Sequence, residues 1–211
     1  MIKIAPSILA ADPLNLERDV RRAVEAGCDW IHVDVMDAHF VPNLAYTPET
    51  VRRLREAFPV FLDVHLMMDR PETLLDDFLR AGAGNITVHA ETGNAEELLR
   101  HIHDAGAMAG VAIRPGTPVR EIEGILDRAD MVLAMTVEPG FGGQKLDAGV
   151  IGKIRALRDG GYKGEIEADG GIREDNLPLL ADAGLTVAVM GTALFRSGEM
   201  KAVIERLHQV G

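Results

Sequence analysis

A regular alternation of short apolar runs with longer, helically spaced segments extends through the chain and limits the folds it can adopt. Eight runs have the length and β-branched composition of strands, and a segment with helical apolar spacing follows each of them. The predicted strands cover residues 3–7, 30–34, 61–66, 85–89, 109–113, 131–136, 164–168 and 187–190. The predicted helices cover residues 15–26, 48–58, 72–81, 95–105, 119–127, 148–158, 174–183 and 199–210. This order favours an α/β protein with parallel strands.

Glycine and proline mark the ends of these units. Four predicted helices end in Ala-Gly, at residues 26–27, 81–82, 105–106 and 183–184, where glycine can adopt the left-handed conformation that closes a helix. Pro13, Pro48 and Pro71 stand near predicted helix starts, where the backbone N–H has no partner within the helix and proline, which lacks this N–H, is tolerated. An open doubly wound sheet would show the same alternation, but eight complete units fill the 211 residues. We therefore predict one (β/α)8 TIM barrel that forms a single domain over residues 1–211.

Composition excludes several classes of partner. The chain has 33 acidic and 22 basic residues and a formal charge of −11, so nucleic acid and anionic membranes are not expected partners. No apolar run approaches the roughly 18 residues of a membrane span, and the first residues do not resemble a signal peptide. The single cysteine, Cys28, is expected to be an apolar filler rather than a nucleophile. We expect a cytoplasmic protein.

Polar residues with metal-binding chemistry occur at the ends of three predicted strands. His32 and Asp34 are two positions apart and so point to the same face of their strand, while His65 and Asp169 end two other strands. Active sites of such barrels lie at the carboxyl ends of the strands. Each residue alone is more simply a hydrogen-bonded core or loop residue, but together they predict a divalent metal site. Two imidazoles and two carboxylates suit Zn, Mn, Fe or Co, and the set does not choose among them.

Glycines gather in the loops after the last three predicted strands. They are Gly140, Gly142 and Gly143 around Phe141, then Gly170 and Gly171, and then Gly191 beside Thr192. A single Gly-Gly is usually a tight turn. Three such loops at the late strands of a barrel predict a phosphate site built from backbone amides, which needs no cation. Phe141 is expected to close over the ligand as part of a mobile loop, the alternative being a rigid turn with Phe141 packed into the rim.

Methionines and one further histidine also lie near the predicted site. Met36, Met67 and Met135 stand at strand ends, where they are expected to line the site and exclude water, although most methionines only fill cores. His89 ends the fourth predicted strand. We interpret it as a satisfied structural histidine in preference to a support for the metal ligands.

Five separated motifs together resemble the ribulose-phosphate 3-epimerase family. They cover residues 5–12, 32–43, 63–67, 137–144 and 169–171, in the order and spacing of the family. The resemblance implies a (β/α)8 barrel that interconverts D-ribulose 5-phosphate and D-xylulose 5-phosphate. It implies one divalent metal and no organic cofactor, with the metal held by His32, Asp34, His65 and Asp169. It also implies that Ser7 and His65 lie beside the substrate, that the late-loop glycines and Thr192 surround its phosphate, and that the chain forms a homo-oligomer, a dimer or a hexamer.

Three positions depart from the family pattern. Ala38 stands where the family usually has glycine, Thr47 where it has the glycine of a Gly-Pro pair, and Ala168 where it has valine. None of these changes removes a predicted metal ligand or acid/base group. They therefore question the geometry of the loops rather than the reaction.

The predicted reaction follows from the residue types. Inversion at C3 of a 2-ketose needs one group to remove a proton from one face and another to return a proton to the opposite face. Asp34 and Asp169 are the expected catalytic pair, and the metal would stabilise the enediolate. An epimerase of a related phosphoketohexose such as D-allulose 6-phosphate, a metal-dependent barrel hydrolase and a non-catalytic sugar-phosphate binding protein remain the alternatives.

Overall fold

The computed structural model describes residues 1–210, which form alternating strands and helices. The strands are β1 (Lys3–Pro6), β2 (Trp30–Asp37), β3 (Leu44–Ala45), β4 (Phe61–Met67), β5 (Asn85–His89), β6 (Met108–Ile113), β7 (Met131–Met135), β8 (Glu165–Asp169) and β9 (Val187–Met190). The α-helices are α1 (Leu16–Glu25), α2 (Pro48–Ala57), α3 (Leu75–Arg80), α4 (Ala95–Asp104), α5 (Ile151–Asp159), α6 (Leu177–Asp182), α7 (Thr192–Phe195) and α8 (Met200–Leu207).

All strands except β3 pair in parallel, in the order β1-β9-β8-β7-β6-β5-β4-β2. A parallel bridge between Ser7 and His32 joins the two ends of this order and closes the sheet. The short strand β3 pairs antiparallel with the end of β2. The fold is the TIM barrel that the alternation of strands and helices predicts.

Side chains alternate along each strand between the helix layer and the interior of the barrel. Most buried apolar side chains belong to one large cluster that includes the buried faces of the helices. A smaller cluster inside the barrel contains Ala5, Trp30, Met131, Val187 and Val189. Trp30 lies two positions before His32 on β2, so the barrel interior is apolar at the amino-terminal side of His32.

The elements differ from the sequence-based prediction in a few places. Residues 119–127, predicted as a helix of the α type, instead form two 3-10 helices, Val119–Glu121 and Glu123–Arg128. The first follows Pro118, the second contains Gly124, and a short apolar period fits a 3-10 turn as well as an α turn. The two-residue strand β3 and the one-turn helix α7 were not expected. Helix α6 begins at Leu177, later than predicted.

Candidate active site

The register of the barrel brings together the predicted metal ligands. Asp34 on β2 is paired with His65 on β4, and His32 is paired with Asp63 one step deeper. Asp169 ends β8. One possible ligand atom from each of His32, Asp34, His65 and Asp169 lies within 4.8 Å of the others. The structure therefore assembles the four residues that the strand-end pattern singled out.

Asp34 is the centre of this cluster. Its Oδ1 lies 3.2 Å from Nε2 of His32 and 3.2 Å from Nδ1 of His65, while its Oδ2 accepts a hydrogen bond of 2.6 Å from the Ser7 hydroxyl. His32 and His65 are fully buried. Two ring nitrogens that face one carboxylate oxygen leave little conformational freedom to any of these side chains, so the donor atoms are preorganised.

The two aspartates differ in their electrostatic surroundings. Burial disfavours the ionised form of Asp34, yet the charge and the hydrogen bond of His32 hold the pKa of Asp34 well below its ordinary value. The pKa of Asp169 is raised to about 7, mainly by burial and secondly by the negative charge of Asp34. Two carboxyl groups in one site are thus driven toward opposite protonation states.

The donor set fits a divalent transition metal. Two imidazole nitrogens and two carboxylates are the ligand types that Zn, Mn, Fe or Co accept, and the ring nitrogen of His32 that faces away from Asp34 lies 2.5 Å from Oδ2 of Asp63. A carboxylate behind a histidine ligand fixes the tautomer and the orientation of the ring. The cluster could therefore hold one metal ion.

Sequence reasoning missed the layer of buried polar residues beneath the ligands. Asp63 and Glu167 are fully buried, and each lies two positions before a predicted ligand, His65 and Asp169, on the same strand. Asn85 donates a hydrogen bond of 2.6 Å to Asp63. Burial, together with the charge of Asp63, raises the pKa of Glu167 well above its ordinary value. The same period of two that pointed to the predicted ligands would have pointed to these residues.

His89 packs directly against a predicted ligand. Its Nε2 lies 2.8 Å from Nε2 of His65, and its Nδ1 lies 2.9 Å from Oε2 of Glu91. Burial lowers the pKa of His89 to about 4. For Glu91, burial opposes ionisation, but hydrogen bonds from His89, Arg114 and Thr117 outweigh it and lower the pKa to about 2. His89 is thus a buried, hydrogen-bonded histidine in direct contact with a predicted ligand.

Above the ligands, a cavity of about 250 Å³ opens at the carboxyl end of the barrel. The predicted substrate residues that line it are Ser7, Met36, Met67, Met135, Gly140, Phe141, Gly142, Gly143, Gly170, Gly171, Gly191 and Thr192. Asp34 and Asp169 also line it, whereas His32 and His65 are buried beneath and do not. Sequence reasoning missed the rim residues Leu9, Ala10 and Arg173.

The glycines of the rim differ in how closely other atoms approach them. Gly171 has a φ of +64°, and a Cβ there would collide with the backbone of Leu146 and Gln144. Gly142 has open space on the side where a Cβ would lie. Within residues 1–210, the N–H groups of Gly142, Gly143 and Gly171 donate to no backbone carbonyl. These amides are therefore free to bind an anion in the cavity.

Phe141 stands at the tip of the loop that follows β7. Its side chain is 55% exposed, so it is not packed into the rim of the barrel. The loop is anchored at its sides, where Gln144 donates to the carbonyls of Glu138 and Phe141 and Asn43 donates to the carbonyl of Gly140. The exposure of Phe141 disfavours packing of its ring into the rim, and movement of the loop stays a prediction.

Two further positions singled out from the sequence have plain structural explanations. Ala38 has a φ of +61°, in the left-handed region that favours glycine, which accounts for the glycine usual in the resembled family at this position. Cys28 packs against the large apolar cluster, and burial raises the pKa of its thiol to about 12. Cys28 is thus a filler, as expected.

Comparison with known proteins gives a consistent result for most of the chain. Residues 3–195 match the model of the ribulose-phosphate 3 epimerase family. The chain belongs to this family. It is 45% identical to the ribulose-phosphate 3-epimerase of Rhodobacter capsulatus over 94% of this chain and 88% of that protein, and 41% identical to that of Bacillus subtilis over 98% of both. It is also 40% identical to the cytoplasmic isoform of the ribulose-phosphate 3-epimerase of Oryza sativa, over 98% of this chain and 93% of that protein.

Solved structures with low sequence identity share the fold. KGPDC from Streptococcus mutans superposes with a TM-score of 0.77 at 13% identity, over 100% of this chain and 99% of that one. A 3-hexulose-6-phosphate synthase superposes with a TM-score of 0.72 at 18% identity, over 100% and 99% of the two chains. Among the described residues, no helix has both the length and the apolar character needed to cross a membrane.

Proposed function

We propose that this site interconverts D-ribulose 5-phosphate and D-xylulose 5-phosphate by proton transfer at C3, with Asp34 and Asp169 as the two acid/base groups. Membership of the ribulose-phosphate 3-epimerase family makes the chain an isomerase of sugar phosphates. The observation that carries the residue assignment is the pair of carboxyl groups that line one cavity from β2 and β8 and are driven toward opposite protonation states.

The pair suits a two-base reaction. A carboxyl group with a lowered pKa is ionised and available as a base that takes up the C3 proton, and a carboxyl group with a raised pKa has a proton to give. Strands β1 and β9 separate β2 from β8 in the barrel, so a substrate can lie between the two groups. The Ser7 hydroxyl holds Oδ2 of Asp34 and so orients this carboxylate.

His32, Asp34, His65 and Asp169 would hold a divalent metal, whose identity among Zn, Fe, Mn and Co stays open. When bound, such a metal acts as a Lewis acid that favours loss of the C3 proton. The chain itself keeps water away from the reacting carbon, because Met36, Met67 and Met135 line the cavity beside the aspartates without adding charge.

The late-loop glycines support binding of the substrate's phosphate. Gly142, Gly143 and Gly171, whose N–H groups donate to no backbone carbonyl of the described residues, line the same cavity as the aspartates. We expect D-ribulose without its phosphate to be a far poorer substrate, with the loss mainly in KM. If the dephosphorylated ketopentose reacted as well as its phosphate, the assignment of these loops would be wrong.

The proposed function is tested with D-ribulose 5-phosphate in D₂O, followed by NMR. An epimerase forms D-xylulose 5-phosphate with deuterium at C3. Release of inorganic phosphate without epimerisation would indicate a hydrolase, and binding without exchange would indicate a carrier protein. Comparison of kcat/KM for D-ribulose 5-phosphate with that for D-allulose 6-phosphate separates pentose from hexose specificity.

We also infer a homo-oligomer, a dimer or a hexamer, and a cytoplasmic location. The family membership supports the first, and the cytoplasmic isoform among its relatives supports the second. Light scattering of the purified chain tests the assembly.

A further inference from the structure

A chain of hydrogen bonds leads from the predicted ligand His65 to a carboxylate outside the ligand cluster. Nε2 of His65 lies 2.8 Å from Nε2 of His89, and Nδ1 of His89 lies 2.9 Å from Oε2 of Glu91. His65 and His89 are fully buried, and the side chain of Glu91 is 22% exposed. Neither His89 nor Glu91 lines the cavity.

A carboxylate faces each end of this pair of histidines. Glu91 lies 2.9 Å from Nδ1 of His89, closer than the 3.2 Å between Oδ1 of Asp34 and Nδ1 of His65, so we take Glu91 as the group that sets the protons. A carboxylate only accepts, so Nδ1 of His89 carries a proton for Glu91 and its Nε2 is left bare. The bare Nε2 of His89 must then accept from a protonated Nε2 of His65. This leaves Nδ1 of His65 bare, and it is this atom that faces the ligand cluster, 3.2 Å from Asp34. Only a bare ring nitrogen can bind a metal.

Glu91 is itself held in place by donors on both sides. Its other oxygen, Oε1, accepts from the backbone N–H of Arg114 at 2.8 Å and from the hydroxyl of Thr117. The ring of Phe40 covers His89 with 4.6 Å between centroids, and the guanidinium of Arg114 lies over Phe40 at 4.1 Å. We call the hydrogen-bonded series Glu91–His89–His65 the relay. Its two histidines are shielded from water, which would otherwise offer them other partners.

We propose that Glu91, acting through His89, is a positioning residue that sets the tautomer of His65 for metal binding. The inference rests on the proposed function only in taking His65 as a metal ligand. Loss of such a support typically lowers metal affinity about 10- to 100-fold. The test uses Co²⁺ alone with no substrate, so failure of this inference is distinguishable from failure of the proposed reaction.

The decisive variants are Glu91→Gln and Glu91→Ala. In Glu91→Gln the amide oxygen stays with the N–H of Arg114, which can only donate, and the NH₂ group turns to His89. The NH₂ then donates to Nδ1 of His89, so the proton of His89 moves to its Nε2. Nε2 of His65 must then accept from His89, which places the proton of His65 on its Nδ1. In Glu91→Ala no group forces the protons to move, so His89 can keep its proton on Nδ1 and His65 can keep its proton on Nε2. A merely structural role predicts the opposite order, since Gln preserves the shape of Glu.

Affinity for Co²⁺ is measured on metal-free protein by competition with a chelator, together with the visible spectrum of the bound ion. We expect Glu91→Gln to lose about 10- to 100-fold in affinity and to exceed the loss in Glu91→Ala. Asp76→Asn, which changes the carboxylate of an exposed pair with His101, is the matched control and should leave affinity unchanged. Equal affinity of Glu91→Gln and the unmodified protein, or a larger loss in Glu91→Ala, would overturn the proposal.

A second measurement does not depend on any variant folding. The ¹⁵N chemical shifts of the histidine rings in the metal-free protein report the tautomers directly. We expect the proton of His65 on Nε2 and that of His89 on Nδ1. A proton on Nδ1 of neutral His65 would contradict the relay.

Discussion

The floor and the rim of the cavity are built in different ways. The floor consists of His32, Asp34, His65 and Asp169, which stand on strands whose register is fixed by the parallel ladders. The rim consists of loop residues such as Phe141 and Gly142, which make few contacts. A change in the floor disturbs groups that are held by several partners at once, whereas most changes in the rim disturb only local contacts. The floor therefore suits chemistry, and the rim suits binding and release.

The largest expected effect comes from removing one of the two proposed acid/base groups in the floor. Asp34→Asn and Asp169→Asn should each lower kcat by at least the roughly 10² to 10⁴ typical of general acid/base residues, with the fold retained. Glu174→Gln, which changes an exposed carboxylate paired with Arg206, is the control and should keep full activity. Steady-state kinetics and circular dichroism check both results. Near-normal turnover of either aspartate variant would refute the assignment.

The contrast between two rim glycines gives the next effect. Gly171→Ala places a Cβ against the backbone of Leu146 and Gln144 at a φ of +64°, a conformation that costs an L-residue about 1 to 2 kcal/mol. We expect KM for D-ribulose 5-phosphate to rise about tenfold or more, as the loop shifts. Gly142→Ala, in open space, should change KM far less. Equal effects of the two substitutions would show that steric fit does not distinguish these glycines.

Phe141→Ala tests whether the tip of the rim acts as a lid. Because Phe141 is 55% exposed, its truncation should cost far less stability than the ~3 to 5 kcal/mol of a buried phenylalanine. We expect lower turnover and more elimination of phosphate, with the melting temperature nearly unchanged. Hydrogen exchange of residues 139–146 should slow when a ketopentose phosphate binds. Equal exchange with and without this ligand would favour a rigid loop.

The smallest expected effect concerns stability alone. Ala38→Gly relieves a left-handed alanine at a φ of +61°, and the greater freedom of glycine in the unfolded chain offsets part of the gain. We expect the free energy of unfolding to rise by up to about 1 kcal/mol. Ala26→Gly, at an ordinary helical φ of −76°, should lower it instead. Urea denaturation measures both, and a stabilised Ala26→Gly would contradict the argument.

The barrel and the clustering of the four predicted ligands were predictable, because alternation of elements and a period of two are properties of neighbouring residues. His32 and Asp34 had to share a face, and the carboxyl ends of parallel strands had to meet. Asp63 and Glu167 obey the same period one layer deeper and could have been found. The 3-10 helices over Val119–Glu121 and Glu123–Arg128 could not, because their apolar spacing does not differ enough from that of an α-helix.

The features that sequence reasoning could not supply depend on contacts between distant segments. Gly142 and Gly171 look alike in sequence, and only the approach of residues 144–146 to Gly171 separates them. The contact between His65 and His89 likewise depends on the fit of β4 against β5. Such contacts arise from packing, which a local pattern does not encode.

The central claim is that Asp34 and Asp169 act on opposite faces of C3, and the location of solvent deuterium tests it most directly. D-ribulose 5-phosphate is converted in D₂O to a few per cent, and both sugars are analysed at C3. A two-base reaction places deuterium in the D-xylulose 5-phosphate while the remaining D-ribulose 5-phosphate stays almost unlabelled, because the base that removes the proton is not the acid that returns one. Product that keeps its original C3 hydrogen, or remaining substrate labelled as fast as product, would contradict the account.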